Sequence, residues 1–141
     1  MLVALIEDDD RLREQTAAIL RDVGFEVHAH EDVPARVRRR HDVIVLDLRL
    51  RDSDGDETLV RCKRAFGPVP IIVWTGDSTQ HTRAIAEGAE WCVVKGQPLA
   101  VLVNAIEQVH ARATRLFDLE GLRAARDRLE EDLLRLVAAG G

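Results

Sequence analysis

The sequence has no long hydrophobic run, and it has little cysteine. A helix that crosses a bilayer needs roughly 20 consecutive apolar residues, and no run in this chain approaches that length. The first ten residues end in acids, where a secretory signal peptide would have its cleavage site. Cys62 and Cys92 lack the spacing of a metal site. We therefore expect a cytoplasmic protein without membrane contacts, in which both cysteines are reduced.

An excess of basic charge is also missing. The net charge is −5, which argues against a nucleic-acid-binding groove. The basic run of Arg38, Arg39 and Arg40 is too short to change this, and we interpret it as a solvated helix end. We therefore expect no nucleic-acid partner.

What the chain does have is enough apolar material for one domain. Its 141 residues are 46% hydrophobic, which suits a single core with a short remainder. Five short apolar runs alternate with stretches of helical periodicity, as in a parallel α/β sheet. They predict strands over residues 2–6, 25–29, 42–46, 69–74 and 91–94 in a (βα)5 architecture. Two of the runs, VIVL and IIVW, are continuously hydrophobic, which is typical of central strands.

Apolar residues at helical spacing mark the first and last core helices. The stripe of the first helix comprises Leu12, Thr16, Ile19, Leu20 and Val23, and Gly24 follows in a position that favours a left-handed cap. Pro98 suits the first turn of the last helix. The stripe of that helix comprises Leu99, Leu102, Val103, Ile106 and Val109.

We predict that the core domain covers residues 1–113 and that an amphipathic helical extension covers 114–141. Gly121 costs a helix roughly 1 kcal/mol relative to alanine, so the extension is expected to start or bend there. Two heptads are short for an independent coiled coil, and three alternatives stay open: a dimerising helix, a helix packed on the core, and a linker into an effector. The heptad positions are Leu119, Leu122, Leu129, Leu133 and Leu136, with Arg126 at the remaining one.

Polar residues stand where the predicted strands end, and ligands of open parallel sheets bind at that edge. Capping of the first helix needs only Asp9 or Asp10. Carboxylates crowded into a partly desolvated pocket are disfavoured unless a cation compensates them, and Mg²⁺ prefers such oxygen ligands. The sequence therefore predicts a Mg²⁺ site. The residues at these strand ends are Glu7, Asp8, Asp47, Thr75 and Lys95.

Asp47 is the candidate nucleophile. A carboxylate that attacks phosphorus is already ionised, so it needs charge stabilisation more than a base. Lys95 can supply this, and it is one of only two lysines beside eighteen arginines, which indicates a need for a compact ammonium group. Thr75 offers a hydroxyl that can donate to a phosphoryl oxygen.

Four segments resemble the signature regions of response-regulator receiver domains. They are LVALIEDDDRL, DVIVLDLRLRDSDG, PIIVWTG and GAEWCVVKGQPL, and the resemblance covers residues 1 to about 113. It implies a flavodoxin-like, doubly wound sheet of strand order 2-1-3-4-5. It also implies a signalling phosphoacceptor rather than an enzyme. Such a domain takes phosphate from a sensor histidine kinase or a histidine phosphotransfer protein and changes its contacts with a downstream target protein.

The resemblance also implies residue roles around the phosphoacceptor Asp47. Asp8 binds Mg²⁺ directly, Glu7 binds it through water, and the backbone carbonyl of Arg49 is the remaining protein ligand. Arg49 and Asp77 occupy positions that tune hydrolysis of the phosphoryl group. Because their charges are opposite, we hypothesise that they pair across the site mouth and restrict attacking water.

Thr75 is by the same resemblance the switch hydroxyl, and Lys95 pairs with the phosphoryl group. Cys92 stands where the family usually has an aromatic ring that moves with the switch, so the usual relay is not implied here. Arg51 and Gly96 replace customary prolines, and the lysine loop is expected to lack its usual cis peptide.

Three other functions compete with this interpretation. A pseudo-receiver would bind partners without phosphate, but the complete set of acceptor residues argues against it. A haloacid-dehalogenase-type phosphatase would need a second acid where Arg49 stands. A flavin-binding relative would need a first loop rich in Gly, Ser or Thr.

Overall fold

The computed structural model describes residues 1–49 and 55–140, and five parallel strands form its sheet. The order across the sheet is β2-β1-β3-β4-β5, which confirms the predicted fold class and strand order. The strands predicted over 2–6 and 91–94 have those bounds, and the other three differ by one or two residues. The strands are β1 (Leu2–Ile6), β2 (Glu26–His30), β3 (Val43–Leu46), β4 (Ile71–Thr75) and β5 (Trp91–Val94).

Four α-helices and one 3-10 turn complete the described residues. None of these helices is both long and apolar enough to cross a bilayer. The chain divides into two compact units, Met1–His110 and Ala111–Gly141. The predicted domain boundary after residue 113 stays a prediction. The helices are α1 (Asp10–Val23), α2 (Gly55–Phe66), α3 (His81–Ala86), which the 3-10 turn Ser78–Gln80 precedes, and α4 (Leu99–Gly140).

The connection between β2 and β3 departs from the (βα)5 pattern, because residues 31–42 contain no helix. Pro34 disfavours a helix here. Only two apolar side chains of the segment, those of Val33 and Val37, pack against the core. The basic run predicted as a helix end is therefore an exposed part of a loop, and Arg39 in it forms two hydrogen bonds with Glu26, of 2.6 and 2.9 Å.

The strands bury their side chains on both faces of the sheet. Every residue of β1, β3 and β4 is buried, which confirms that VIVL and IIVW are central. Ala4, Ile44 and other alternate residues contribute to one apolar cluster, and Val3 and Val43 contribute to the cluster that α1 and α4 cover. Such double coverage places the polar residues that follow the strands at the edge of the core.

Helix α1 has the predicted caps, and its predicted stripe is correct in part. The Asp9 side chain accepts from the backbone N–H of Leu12 at 2.9 Å, and Gly24 caps the helix with φ of 114°. Ile19 and Val23 are 41% and 50% exposed, so the predicted stripe is wrong at these positions. The stripe is confirmed at Thr16 and Leu20, which are buried, and Ala17 is buried beside them.

Helix α4 has the predicted stripe in its first part. Leu102 and Ile106 are buried, as is Ala105 between them, while Leu99, Val103 and Val109 pack at the margin of the core. Gly121 lies inside α4, so the helix does not start there.

His41 is a buried residue at the end of the β2–β3 connection. Its Nδ1 lies 2.9 Å from the carbonyl oxygen of Arg39, which can only accept, so this nitrogen donates. Its Nε2 lies 3.0 Å from Nδ1 of His28 and accepts from it when the His41 ring is neutral. Burial lowers the pKa of His41, and the nearby His28 adds to this effect.

We expect the contribution of His41 to the free energy of unfolding to fall as the pH drops below about 6.5, the ordinary pKa of histidine. The folded state holds His41 neutral, whereas the unfolded chain takes up a proton. The contribution of His41 is therefore complete above pH 6.5 and is lost as the pH falls toward its lowered folded-state pKa. Urea unfolding of the wild type and of His41→Gln at pH 7.5 and 5.5 measures this. Equal pH dependence in the two proteins would contradict the assignment.

Candidate functional site

The carboxyl edge of the sheet collects the predicted site residues. The backbone N–H of Asp47 donates to the Ile6 carbonyl at 2.9 Å and thereby extends the β1–β3 pairing by one residue. The backbone N–H of Lys95 donates to the Thr75 carbonyl at 2.6 Å and does the same for β4 and β5. Strand pairing therefore sets the positions of these residues before any side-chain interaction forms.

Glu7, Asp8 and Asp47 form an acidic cluster. Each offers a carboxylate oxygen, and these oxygens all lie within 4.8 Å of one another. Glu7 is only 1% exposed and Asp47 is buried, while Asp8 is half-buried. The structure thus brings together the three carboxylates that were predicted to hold Mg²⁺.

Among the described residues, Lys95 is the cation that lies against this cluster. Its Nζ lies 2.6 Å from Oε1 of Glu7 and 3.2 Å from Oδ2 of Asp47. The same ammonium lies 5.2 Å from the centre of the Trp74 ring, within the range of a cation–π contact. Burial acts to lower the pKa of Lys95, but the Glu7 hydrogen bond and the Asp47 charge outweigh it, so the pKa is raised.

One ammonium group does not compensate the whole cluster. Burial is the largest cause that raises the pKa of Glu7 to about 8, and the neighbouring Asp47 adds to it. Its second oxygen, Oε2, is buried and has no hydrogen-bond partner among residues 1–49 and 55–140. A buried acceptor without a donor is costly unless a cation or water meets it. The residues of the site therefore fit a bound divalent cation.

Arg49 contacts the site through its backbone and through its side chain. Its backbone N–H donates to Oδ1 of Asp47 at 3.0 Å. Its guanidinium Nη2 lies 3.6 Å from Oδ2 of Asp77, and hydrogen bonds from Thr79 lower the pKa of Asp77. The hypothesised pair is present, while the role of the Arg49 carbonyl as a ligand stays a prediction. Arg51, the replacement for a customary proline, lies outside the described residues.

Thr75 is buried at the end of β4. Its Oγ1 accepts a hydrogen bond of 3.2 Å from the backbone N–H of Asp77. Because the hydroxyl accepts in this bond, its own hydrogen remains available to donate. The lysine loop behind it has Gly96 at φ of 93°, and there is no cis peptide bond in the described residues.

Cys92 is a buried free thiol within the apolar core. Burial raises its pKa, which keeps the thiol neutral. Trp91 precedes it on the opposite face of β5, where it is 49% exposed and meets the ring of His81 edge-on at 5.0 Å. The switch position thus holds a small side chain that is packed in the core.

Sequence reasoning missed Arg13. Its Nη1 donates to the Glu7 carbonyl at 2.8 Å, and its Nη2 lies 2.6 Å from Oδ1 of Asp10. This guanidinium therefore holds the backbone from which Glu7 and Asp8 extend. The signal was present in the Asp10–Arg13 spacing, since residues three apart in a helix are neighbours.

Comparison with known proteins agrees with this geometry. Residues 3–107 match the family described as response regulator receiver domain. The chain belongs to this family.

Two relatives and one solved structure illustrate the match. Sensory transduction protein RegX3 of Mycobacterium tuberculosis is 30% identical over 118 residues, which cover 78% of this chain and 51% of RegX3. Transcriptional regulatory protein CseB of Streptomyces coelicolor is 34% identical over 116 residues, which cover 78% of this chain and 49% of CseB. This receiver chain thus spans about half the length of these curated relatives.

The structural comparison is with the receiver domain of the sensor histidine kinase PA1611 from Pseudomonas aeruginosa PAO1. It has a TM-score of 0.68 and 25% identity, and the match covers 78% of this chain and 97% of that one. That crystal structure has a magnesium ion coordinated in the active-site cleft.

We expect Lys95→Met to lower the free energy of unfolding by about 1–3 kcal/mol in metal-free buffer at pH 8, because it leaves two buried carboxylates without their ammonium partner. Lys63→Met is the matched control, since Lys63 is exposed and its Nζ donates to the Glu87 carbonyl at 3.1 Å. Urea unfolding measures both variants. Equal stability of the two variants would contradict the role given to Lys95.

Proposed function

We propose that this receiver domain is a phosphoacceptor of a two-component system. A sensor histidine kinase or a histidine phosphotransfer protein donates phosphate to Asp47, and the phosphorylated domain changes its contacts with a downstream target protein. The observation that carries the proposal is the buried Asp47 carboxylate, which lies in an acidic cluster and 3.2 Å from the Lys95 ammonium. We place this signalling in the cytoplasm, without nucleic-acid or membrane contacts of the receiver itself.

In the proposed reaction an oxygen of the Asp47 carboxylate attacks the phosphorus of a phosphohistidine. The new O–P bond forms as the P–N bond breaks, and the imidazole leaves with the electron pair and takes up a proton from solvent. The product is an acyl phosphate on Asp47. The backbone N–H of Arg49, which donates to Oδ1 of Asp47 at 3.0 Å, holds the carboxylate in one orientation during the attack.

Lys95 and the acidic cluster share the task of charge stabilisation. Mg²⁺ bound by Glu7, Asp8, Asp47 and the Arg49 carbonyl would neutralise phosphoryl oxygens. Lys95 already lies between Glu7 and Asp47, and we propose that its ammonium pairs with the phosphoryl group once Asp47 is modified. The acyl phosphate would then be lost slowly to water, which resets the domain.

The proposed switch begins at Thr75. Its hydroxyl hydrogen can donate to a phosphoryl oxygen, which would draw the hydroxyl away from its hydrogen bond with the backbone N–H of Asp77. Cys92 cannot swing between buried and exposed positions as a large ring does, because it is a small core residue. We therefore propose that the signal leaves through the segment from Thr75 to Asp77. The C-terminal extension would act as a dimerisation helix or as a linker.

The pseudo-receiver alternative is not favoured. A binding module that signals without phosphate has no need of a buried carboxylate pair that raises the pKa of Glu7 to about 8. Such an arrangement is costly to the fold, and phosphoryl transfer gives it a use.

We expect Asp47 to be phosphorylated by the small donor phosphoramidate when Mg²⁺ is present. Intact-protein mass spectrometry should show one added phosphoryl group in the wild type and in Asp22→Asn, whose changed side chain is exposed on α1. Asp47→Asn should stay unmodified, because its amide is not a nucleophile toward phosphorus. Modification of Asp47→Asn to the wild-type extent, or an unmodified wild type, would refute the proposal.

We expect Arg49→Ala and Asp77→Ala each to shorten the half-life of the phosphoryl group by about two- to fivefold, the size expected for an exposed ion pair. The reason is that the pair covers the site mouth and limits water, while the Arg49 backbone groups survive in the alanine variant. Loss of phosphate is followed by mass spectrometry after removal of the donor. The double variant should match the single variants, and an unchanged half-life in Arg49→Ala would exclude this role.

A further inference from the structure

The second compact unit has an apolar stripe that remains exposed. This stripe runs along residues 119–136 of α4, and its five leucines are between 51% and 69% exposed. A continuous apolar stripe on a helix is typical of a surface that another helix covers. The residues of the stripe are Leu119, Leu122, Leu129, Leu133 and Leu136, with Arg126 between them.

The residues of the stripe have the same spacing when they are read from either end of the helix. Leu119 and Leu136 are equally far from the midpoint between residues 127 and 128, and so are Leu122 and Leu133. Two copies that run in opposite directions therefore place leucine opposite leucine in these layers. The remaining layer places Arg126 opposite a leucine of the second copy.

Arg126 disfavours the parallel arrangement. In a parallel pair in register each stripe residue faces itself, so two Arg126 side chains would meet inside the contact. In the antiparallel pair Arg126 faces Leu129, against which its alkyl stem can pack. Its guanidinium keeps its own neighbours, Asp127 at 3.7 Å and Glu130 at 4.0 Å.

The residues beside the stripe are also complementary to the same residues of a second, antiparallel copy. Four residues at intervals of seven positions lie on one side of the stripe. They are Leu116, Arg123, Glu130 and Val137. In an antiparallel pair this side meets the same side of the second copy. Arg123 then meets Glu130, and Leu116 meets Val137, each pair occurring twice.

We infer that the second unit binds a second copy of this chain as an antiparallel pair of helices centred between Asp127 and Arg128. At 1.5 Å per residue the two copies of residue 111 would lie about 50 Å apart along the pair. A parallel pair would bring them within about 10 Å. This pair rests on the proposed dimerisation role of the C-terminal extension and gives that helix one orientation. It needs no phosphate on Asp47, so each proposal can fail without the other.

Disulfide formation tests the orientation directly. Leu119→Cys and Leu136→Cys are prepared in the full chain, oxidised separately and as a mixture, and the products are mapped by proteolysis and mass spectrometry. The antiparallel pair predicts a 119–136 disulfide in the mixture and little dimer from either variant alone. Disulfides of 119 with 119, or of 136 with 136, would overturn it.

A charge exchange supplies a readout that needs no cysteine. The dimer dissociation constant, measured by sedimentation equilibrium, should rise about three- to tenfold in Arg123→Glu, which faces Glu130 with a like charge. The double variant R123E/E130R should restore most of it, because the exposed contact of 4.0 Å between Glu130 and Arg126 that it also removes is weak. In a parallel pair Arg123 instead meets Asp118, so the double variant would stay weak. Arg128→Glu, outside the contact, is the matched control.

Either result against the antiparallel pair is decisive. A wild-type chain that sediments as a monomer at all concentrations would overturn the inference and would favour packing on the core or a linker. A double variant as weak as the single variant would overturn the orientation.

Discussion

A single ammonium group lies between two buried carboxylates, and the rest of the site depends on this contact. Lys95 lies 2.6 Å from Glu7 and 3.2 Å from Asp47, and both acids are nearly inaccessible to solvent. The desolvation free energy of two buried carboxylates is larger than the stabilisation that one lysine provides. Among residues 1–49 and 55–140 the site is therefore short of positive charge, and a bound divalent cation would supply what is missing.

The sheet explains how such an unfavourable cluster can persist. Central strands β1 and β3 are buried on both faces, and their pairing continues through the backbone N–H of Asp47. Glu7 is held in the same way, because its N–H donates to the His30 carbonyl at 3.0 Å. Backbone pairing in the sheet thus holds the acids in place. Arg13 holds the start of the loop that follows β1 through its hydrogen bond to the Glu7 carbonyl. Stability from packing is large enough to offset local repulsion at one edge.

Much of the fold and of the site could be predicted because the signals were strong and local. Short β-branched runs such as VIVL that alternate with helical stretches favour the strands of a parallel sheet, and such a sheet gathers the residues that follow its strands at one edge. The grouping of Glu7, Asp47 and Lys95 therefore follows from the sequence. The contacts of Arg13 and Trp74 with the site could not, because both depend on where a long or bulky side chain turns.

Other features of the fold could not be predicted, because weak sequence preferences opposed one another or no local pattern indicated them. The helix expected after β2 is absent because Pro34 and a scarcity of apolar residues outweigh the alternating βα pattern. In α1 Ile19 was expected to face the core but is 41% exposed, whereas the smaller Ala17 is buried. The buried His41 contacts the half-buried His28, which lies thirteen positions away in the chain, and no periodicity in the sequence indicates this contact.

The central claim is that this negatively charged pocket is a magnesium site. Isothermal titration calorimetry of the metal-free protein with Mg²⁺ tests it most directly. The account predicts saturable binding at one site in the wild type and in Asp22→Asn, and loss of that binding in Asp8→Asn. A wild-type protein without saturable Mg²⁺ binding, or an Asp8→Asn variant that binds as tightly as the wild type, would contradict the account.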